Sequence, residues 1–185
     1  MNVLLTSCGL ETKTIEAAFM DMMPKQPESI KALFIPTAAV SPDAIEVLPK
    51  CLNDLMKCGI SRENISVYDL YDLLEEDEMQ MYEVVYLCGG DSRCLLRRIN
   101  ESGFDKRLKR FIERGGVVVG VSAGSIIFAN NIENNLGLLP CGLNVHCADD
   151  ECEKAGNYTE YMKENIKLGN KQALILHDGG FSIIE

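Results

Sequence analysis

The stretch VVVGVSAGS, residues 117–125, decides the fold of this 185-residue chain. Its first three residues are apolar and β-branched, a composition typical of a central parallel strand that is buried on both faces. The glycines and small residues that follow predict a sharp turn, and residues 124–129 then suit a short helix. A buried strand that leads through a tight turn into a helix is a repeating unit of α/β sheets.

The same alternation of strand and helix extends in both directions along the chain. Apolar, β-branched runs predict strands at residues 2–6, 31–35, 65–68, 84–87, 117–119, 173–176 and 181–184. Apolar residues at helical spacing, or acidic exposed runs, predict helices at residues 14–23, 44–55, 69–78, 95–99, 104–112 and 158–168. We therefore predict one α/β domain over residues 1–185, with a mostly parallel sheet and helices on both faces.

Composition and charge exclude several kinds of protein. The chain has 18 basic and 28 acidic residues, and a net charge of −10 disfavours nucleic acid as a partner. No window holds the roughly 20 apolar residues that a membrane span needs, and the N-terminus does not resemble a signal peptide. We expect a cytoplasmic protein, a monomer or homodimer, with its eight cysteines as free thiols.

Residues 120–124 match G-x-S-x-G, the pattern of a nucleophile elbow. In such an elbow the serine sits on a tight strand-to-helix turn, so that its oxygen projects from the sheet. The N–H groups that follow open a helix and are suited to hold an oxyanion. The alternative is a glycine turn with an incidental serine, but the strand before it and the helix after it favour Ser122 as a nucleophile.

A serine nucleophile needs a base, and the chain has two histidines. His146 lies in a loop-rich segment that is able to fold over the elbow. His177 follows a predicted strand and is expected to reach the same edge of the sheet. Both histidines are therefore candidates for the base.

Polar residues also follow two other predicted strands. Gly89-Gly90-Asp91 opens a helix, so its backbone suits a second oxyanion donor, although a plain turn with Asp91 as the N-cap explains it equally well. Thr6-Ser7-Cys8-Gly9 ends the first strand and is a candidate for lining the pocket, with Ser7 as the expected contact, although a polar strand end is the simpler explanation. No metal or cofactor is predicted, because the cysteines around His146 lack the C-x-x-C spacing of zinc sites.

The combination of Gly89-Gly90-Asp91 with residues 117–125 resembles the dipeptidase E and cyanophycinase group of serine peptidases, peptidase family S51. The resemblance extends from residues 4–7 through 34–38 to residues 177–178. It implies a three-layer α/β/α sandwich, similar to that of class I glutamine amidotransferases. It also implies serine-peptidase chemistry without a cofactor.

The resemblance assigns roles to particular residues. It implies that Ser122 is the nucleophile, that His146 is the base, and that the N–H groups of Gly90 and Ala123 form the oxyanion hole. The family places an acidic residue between the serine and the histidine, and Glu133 is the carboxylate in that interval. Glu133 is therefore the predicted third member of the triad.

The expected substrate is a short peptide, because the dipeptidase branch cleaves dipeptides with an N-terminal aspartate and the other branch cleaves an aspartate–arginine polymer. Ser7, Asp91, His177 and Asp178 are expected to bind it, and Asp178 is a second candidate for orienting the histidine. The alternatives are an α/β-hydrolase esterase and a homologue that binds a small molecule or peptide with weakened catalysis. A glutamine amidotransferase is disfavoured, since that chemistry uses a cysteine where Ser122 stands.

Overall fold

The computed structural model describes residues 1–159 and 164–185. Its strands are β1 (Asn2–Thr6), β2 (Ala32–Ile35), β3 (Ile65–Val67), β4 (Val84–Leu87), β5 (Val117–Val121), β6 (Gly142–Cys147), β7 (Gly156–Tyr158), β8 (Asn165–Gly169), β9 (Ala173–His177) and β10 (Gly180–Ile184). Its helices are α1 (Lys13–Asp21), α2 (Pro42–Lys57), α3 (Glu76–Met79), α4 (Ser92–Glu101), α5 (Phe104–Glu113) and α6 (Ala123–Ile126). Two short 3₁₀ turns lie at Pro27–Ser29 and Arg62–Asn64.

Eight strands form one sheet in the order β3-β2-β4-β5-β1-β9-β10-β7. The five strands from β3 to β1 are parallel, whereas β9, β10 and β7 are joined by antiparallel pairing. The carboxyl ends of β1, β4 and β5 therefore meet at one edge of the sheet, which is where α/β proteins place their ligand sites. We call this the active edge.

Helices cover both faces of the sheet, as predicted. Alternate residues of β1 point to opposite faces, so Leu4 belongs to a core with α1 and α2, and Leu5 belongs to a core with α4 and α5. Strands β1, β2, β4 and β5 are buried on both sides, which explains their nearly continuous apolar sequences, whereas β3 at the edge of the sheet is mostly exposed. The predicted α/β/α sandwich with a mostly parallel sheet is confirmed.

A second, two-stranded sheet lies beside the active edge. Strands β6 and β8 pair in parallel, and their register shifts between Asn144 and Cys147. This bulge gives His146 a φ of 58°, a left-handed conformation that turns its side chain out of the regular alternation. The irregular strand therefore sets the direction of the histidine.

Two predicted helices are wrong, wholly or in part. Residues 160–163 lie outside the described residues, but Tyr158 ends a strand and residues 165–169 form β8. The buried side chains of Ile166 and Leu168 follow the period of a strand, and pairing with β6 satisfies their backbone. The predicted helix at residues 69–78 is reduced to Glu76–Met79.

The helix predicted at residues 44–55 and the strands predicted at residues 173–176 and 181–184 are present. Pro49 lies inside α2, whose first turn begins at Pro42 behind the N-cap Ser41. Strands β9 and β10 pair antiparallel across the Gly179 turn. Within the described residues, no helix is both long enough and apolar enough to cross a membrane.

Candidate active site

Ser122 occupies a strained turn between β5 and α6. Its backbone has φ 48° and ψ −107°, a region that L-residues rarely adopt and that is typical of functional turns. Its N–H donates to the Thr6 carbonyl at 3.0 Å, which ties the turn to the neighbouring strand β1. The side chain of Ser122 is only half-buried, so its oxygen faces an open cavity.

The two glycines of G-x-S-x-G are required by close backbone packing. A Cβ on Gly120 would lie 2.5 Å from the carbonyl oxygen of Gly124. A Cβ on Gly124 would lie 2.3 Å from the carbonyl oxygen of Leu87, at the end of β4. The turn is thus wedged between its own helix and the adjacent strand, which fixes the direction of the Ser122 side chain.

His146 lies against the Ser122 hydroxyl. Its Nε2 is 2.9 Å from Ser122 Oγ, which is hydrogen-bond distance for a base and its nucleophile. The backbone N–H of His146 donates to Ser7 Oγ at 2.8 Å. Ser7 lines the cavity as expected, and it also anchors the bulge that carries the histidine.

Asn170 takes the other side of the imidazole ring. His146 Nδ1 is 2.9 Å from Asn170 Oδ1, in the turn between β8 and β9. Since an amide oxygen only accepts hydrogen bonds, this contact places the imidazole proton on Nδ1 and leaves Nε2 free to accept from Ser122. The geometry is that of a Ser-His-Asn arrangement.

Cys8 joins the same group of side chains. Its Sγ is 3.2 Å from Asn170 Oδ1 and 3.4 Å from His146 Nδ1. Burial raises the pKa of the Cys8 thiol, and the Glu11 carboxylate raises it further. The thiol therefore stays protonated near neutral pH, and it donates to the Asn170 oxygen alongside the imidazole.

The Gly89–Gly90 turn and the first residue of α6 flank Ser122. A Cβ on Gly89 would lie 3.3 Å from Ser122 Cβ, so the Gly89–Gly90 turn touches the elbow. Gly90 has φ 136°, and a Cβ there would lie 2.0 Å from the Ala38 carbonyl oxygen, so only glycine fits. Ala123 is the first residue of α6, and its N–H has no acceptor within the helix.

A cavity of about 330 Å³ adjoins Ser122. One wall is a face of α2, and the others come from the ends of β1, β4 and β5 and from His146. Its described lining consists of Ser7, Cys8, Ala44, Val47, Leu48, Lys50, Cys51, Gly89, Gly90, Val121, Ser122 and His146. This volume lies at the small end of ligand sites and suits a molecule of dipeptide size.

His177 and Asp178 lie away from this site, and the expectation that they reach the same edge is wrong. Strand β9 runs antiparallel to β1, with Leu176 opposite Val3, so its carboxyl end points to the opposite edge of the sheet. His177 Nε2 is instead 2.7 Å from Ser182 Oγ. A sequence pattern locates the end of a strand but not the direction in which the strand enters the sheet.

Glu133 and Asp91 do not take the positions expected of them. Glu133 is exposed in the segment after α6, and His146 Nδ1 has Asn170 as its oxygen partner. Asp91 is the N-cap of α4, where its carboxylate accepts from the Cys94 N–H at 2.9 Å. Asp91 therefore has the structural role that was left open as its alternative, and it is not among the residues that line the cavity.

Asn170 is a site residue that the sequence did not predict. It follows residues 158–168, which were predicted to form a helix. Asn170 is found only once β8 is paired with β6, because that pairing brings the turn after β8 to His146. A polar residue directly after a strand at the active edge is the signal that would have identified it.

The fold and the elbow define a class: α/β/α-sandwich proteins with a serine nucleophile and a histidine at the carboxyl edge of a parallel sheet. The chain belongs to peptidase family S51, whose sequence model matches residues 3–184. This confirms the family that the Gly-Gly-Asp and Gly-x-Ser-Ala-Gly motifs predicted. The alternative of an α/β-hydrolase esterase is not supported by this membership.

A curated relative of the chain is also described as a peptidase. An uncharacterised peptidase of Pasteurella multocida (strain Pm70) is 28% identical over 102 residues, which are 54% of this chain and 48% of that protein. The match thus spans about half the length of this curated relative.

Two solved structures share the fold. A peptidase E candidate from Listeria monocytogenes EGD-e superposes with a TM-score of 0.75 at 18% identity, covering 100% of this chain and 98% of the other. A peptidase from an acI-B1 Actinobacterium gives a TM-score of 0.66 at 15% identity, with 98% and 86% covered.

Proposed function

We propose that the protein hydrolyses short peptides by a serine-type mechanism, with Ser122 as nucleophile, His146 as general base and Asn170 as the orienting group. The observation that carries the proposal is the 2.9 Å contact between His146 Nε2 and Ser122 Oγ. Membership of a peptidase family supports the reaction class. The small cavity beside the serine supports a short substrate.

The mechanism follows from the position of each group. Ser122 Oγ attacks the peptide carbonyl carbon while His146 Nε2 takes its proton, and the carbonyl oxygen becomes an oxyanion held by the N–H groups of Gly90 and Ala123. The removal of one such donor typically costs about 2.7–4 kcal/mol of transition-state stabilisation. His146 then protonates the leaving amine, and a water molecule activated by the same imidazole hydrolyses the acyl-enzyme.

An N-terminal aspartate is the narrower part of the proposal. Its carboxylate requires a cation, and among the described residues that line the cavity Lys50 is the charged one. Lys50 is paired with the Glu11 carboxylate, and that hydrogen bond raises the pKa of the Lys50 ammonium and keeps it charged. An ammonium has three N–H donors, so the proposal requires Lys50 to donate to the substrate carboxylate in addition to Glu11. A cytoplasmic location stays a prediction.

The test compares the two histidines of the chain. Ser122→Ala and His146→Ala are each expected to lower kcat/KM for Asp-X dipeptides by at least about 10³-fold, and the double variant to be no worse than either, because the two groups act as a unit. His177→Ala is the matched control, since that ring lies at the opposite edge of the sheet, and it should keep full activity.

Two results would contradict the proposal. One is full activity in Ser122→Ala. The other is a folded protein that neither cleaves any dipeptide nor reacts with a fluorophosphonate at Ser122, which would favour a homologue that binds a ligand without cleaving it. Circular dichroism of each variant separates loss of chemistry from loss of fold.

A further inference from the structure

The wall of the cavity formed by α2 is apolar, and the proposed chemistry does not use it. Five residues of this helix line the cavity, and all except Lys50 are apolar: Ala44, Val47, Leu48 and Cys51. Val47 is 48% exposed, although solvent-facing positions of a helix usually carry polar residues. An exposed apolar side chain in the wall of a cavity next to a nucleophile is suited to contact a ligand.

Most polar side chains of the cavity come from elements other than α2. Ser7 and Ser122 follow the ends of β1 and β5, and His146 belongs to β6. His146 is hydrogen-bonded to both serines, through its backbone N–H to Ser7 and through its ring to Ser122. Lys50 extends from α2 to pair with Glu11. The α2 face formed by Ala44, Val47 and Leu48 therefore offers a bound peptide contact surface but no charged or hydrogen-bonding side chain.

We propose that this α2 face is the subsite for an apolar side chain of the substrate. Peptides with a leucine- or methionine-sized side chain at the contacting residue are then preferred over peptides with asparagine or glutamine there. Burial of such a side chain on an apolar wall is expected to raise kcat/KM by about 10-fold or more over a polar one of similar size. The inference rests on the proposed function, because it concerns the same cavity.

The first experiment uses two series of dipeptides, Asp-X and X-Ala, in which X is glycine, leucine, methionine, asparagine or glutamine. The wild-type protein should prefer leucine and methionine at X in at least one series. Binding of the same dipeptides to the Ser122→Ala variant, measured by calorimetry, should show the same order. This binding readout separates the inference from the proposed function, since it does not require turnover.

The second experiment fills the subsite. Ala44→Phe should lower kcat/KM for the leucine member of the preferred series by about 10-fold, while the glycine member changes less than about 3-fold, because only the larger side chain needs the space. Ile45→Phe is the matched control: Ile45 is the next residue of α2, is 52% exposed and is not among the residues that line the cavity. It should leave both members unchanged.

The inference is overturned if asparagine and glutamine are accepted and bound as well as leucine in both series. It is also overturned if Ala44→Phe lowers all members equally, because the wall would then not discriminate by side-chain size. Peptide hydrolysis abolished by Ser122→Ala, with no preference at X, would leave the proposed function standing and remove the subsite. A preference for leucine and methionine in calorimetry without any turnover would support the subsite and contradict the proposed function.

Discussion

Asn170 controls the side of the His146 ring that faces away from Ser122. It accepts from Nδ1 at 2.9 Å and from the Cys8 thiol at 3.2 Å. A neutral amide fixes the tautomer and direction of the ring. However, it adds less electrostatic stabilisation than a carboxylate would when the imidazole becomes charged. Orientation is therefore the main contribution expected of this residue.

Substitution of Asn170 separates orientation from charge. Asn170→Ala should lower kcat by about 10- to 100-fold, because the ring loses its partner while Ser122 and the oxyanion donors stay in place. Asn170→Asp should keep most of the activity and move the acid limb of the kcat/KM profile to higher pH. The reason is that a carboxylate favours the protonated imidazole, whereas the base must be unprotonated. Both effects are read from pH–rate profiles.

Asn64→Ala serves as the control, because Asn64 lies before β3 at the opposite edge of the sheet and donates to the Glu28 carbonyl there. Its profile should match that of the wild type. An unchanged kcat in Asn170→Ala would show that the ring is held by Ser7 and the bulge alone. An unshifted acid limb in Asn170→Asp would show that residue 170 does not contact the ring during the reaction.

At the scale of single residues, the sequence predicted those whose role depends on their neighbours in the chain. Ser122 is recognisable because the strand, the glycines and the helix that fix it are adjacent in the chain. His146 was identified through family resemblance, and its position beside Ser122 depends on a bulge that no local pattern revealed. Asn170 was missed because its contact depends on which strands lie side by side.

At the scale of elements, Asp54 links α2 to the loop after β1. Its Oδ2 accepts from the Leu10 N–H at 3.1 Å and from the Tyr86 hydroxyl at 3.0 Å. Gly9 passes close to it with φ 95°, where a Cβ would lie 2.5 Å from the same oxygen. The buried carboxyl thus holds the loop that carries Ser7 and Cys8 to the active edge.

Asp54 should make stability depend on pH in an unusual direction. Desolvation raises the pKa of its carboxyl above 3.8, the value for an unperturbed aspartate. The folded state then binds more protons than the unfolded state just above pH 3.8, so this contribution to stability is present below that pH and is lost as pH rises through the folded-state pKa. The other carboxylates of the chain also make stability depend on pH. The informative quantity is therefore the difference in free energy of unfolding between the wild type and a variant at residue 54.

The variant is Asp54→Asn, which keeps an oxygen to accept from Leu10 and Tyr86 but does not titrate. Urea unfolding of both proteins between pH 4 and pH 7 should show the wild type losing stability relative to Asp54→Asn as pH rises. Val40→Ala, which removes part of an exposed side chain that does not titrate, is the control, and its stability should follow the same pH dependence as that of the wild type. If the free energy of unfolding of the wild type and of Asp54→Asn changed in parallel with pH, the raised pKa of Asp54 would be contradicted.

Most elements were predictable because their periodicity is strong. The runs at β1, β4 and β5 are apolar throughout, and α4 and α5 carry a single apolar stripe. Residues 165–168 were wrongly predicted as part of a helix, because Ile166 and Leu168 fit the end of a helical stripe as well as the alternation of a strand. Pairing with β6, rather than local preference, decides for the strand.

At the scale of the whole molecule, β1 connects the two cores. Leu4 contributes to the core under α1 and α2, and Leu5 contributes to the core under α4 and α5. Because neighbouring strands also alternate between the two faces, neither core is complete without the shared sheet. We therefore propose that the chain unfolds as one cooperative unit, which is the single domain predicted from the sequence.

Two buried cysteines report on the two cores separately. Cys58 lies in the core under α1 and α2, and Cys141 lies in the core under α4 and α5. If the protein unfolds as one unit, pulsed alkylation followed by mass spectrometry should give both thiols the same urea midpoint. Leu4→Ala should lower both midpoints together, by an amount that corresponds to about 3 kcal/mol, because Leu4 is fully buried.

The matched control is Val40→Ala, since Val40 is 58% exposed and its truncation should change the free energy of unfolding by less than about 0.5 kcal/mol. Separate midpoints would contradict cooperative unfolding. In particular, if Leu4→Ala exposed Cys58 at a lower urea concentration than Cys141, the core under α1 and α2 would open alone. The active edge would then be assembled from two parts of different stability, because α2 forms the cavity wall while Ser122 and His146 belong to the rest of the fold.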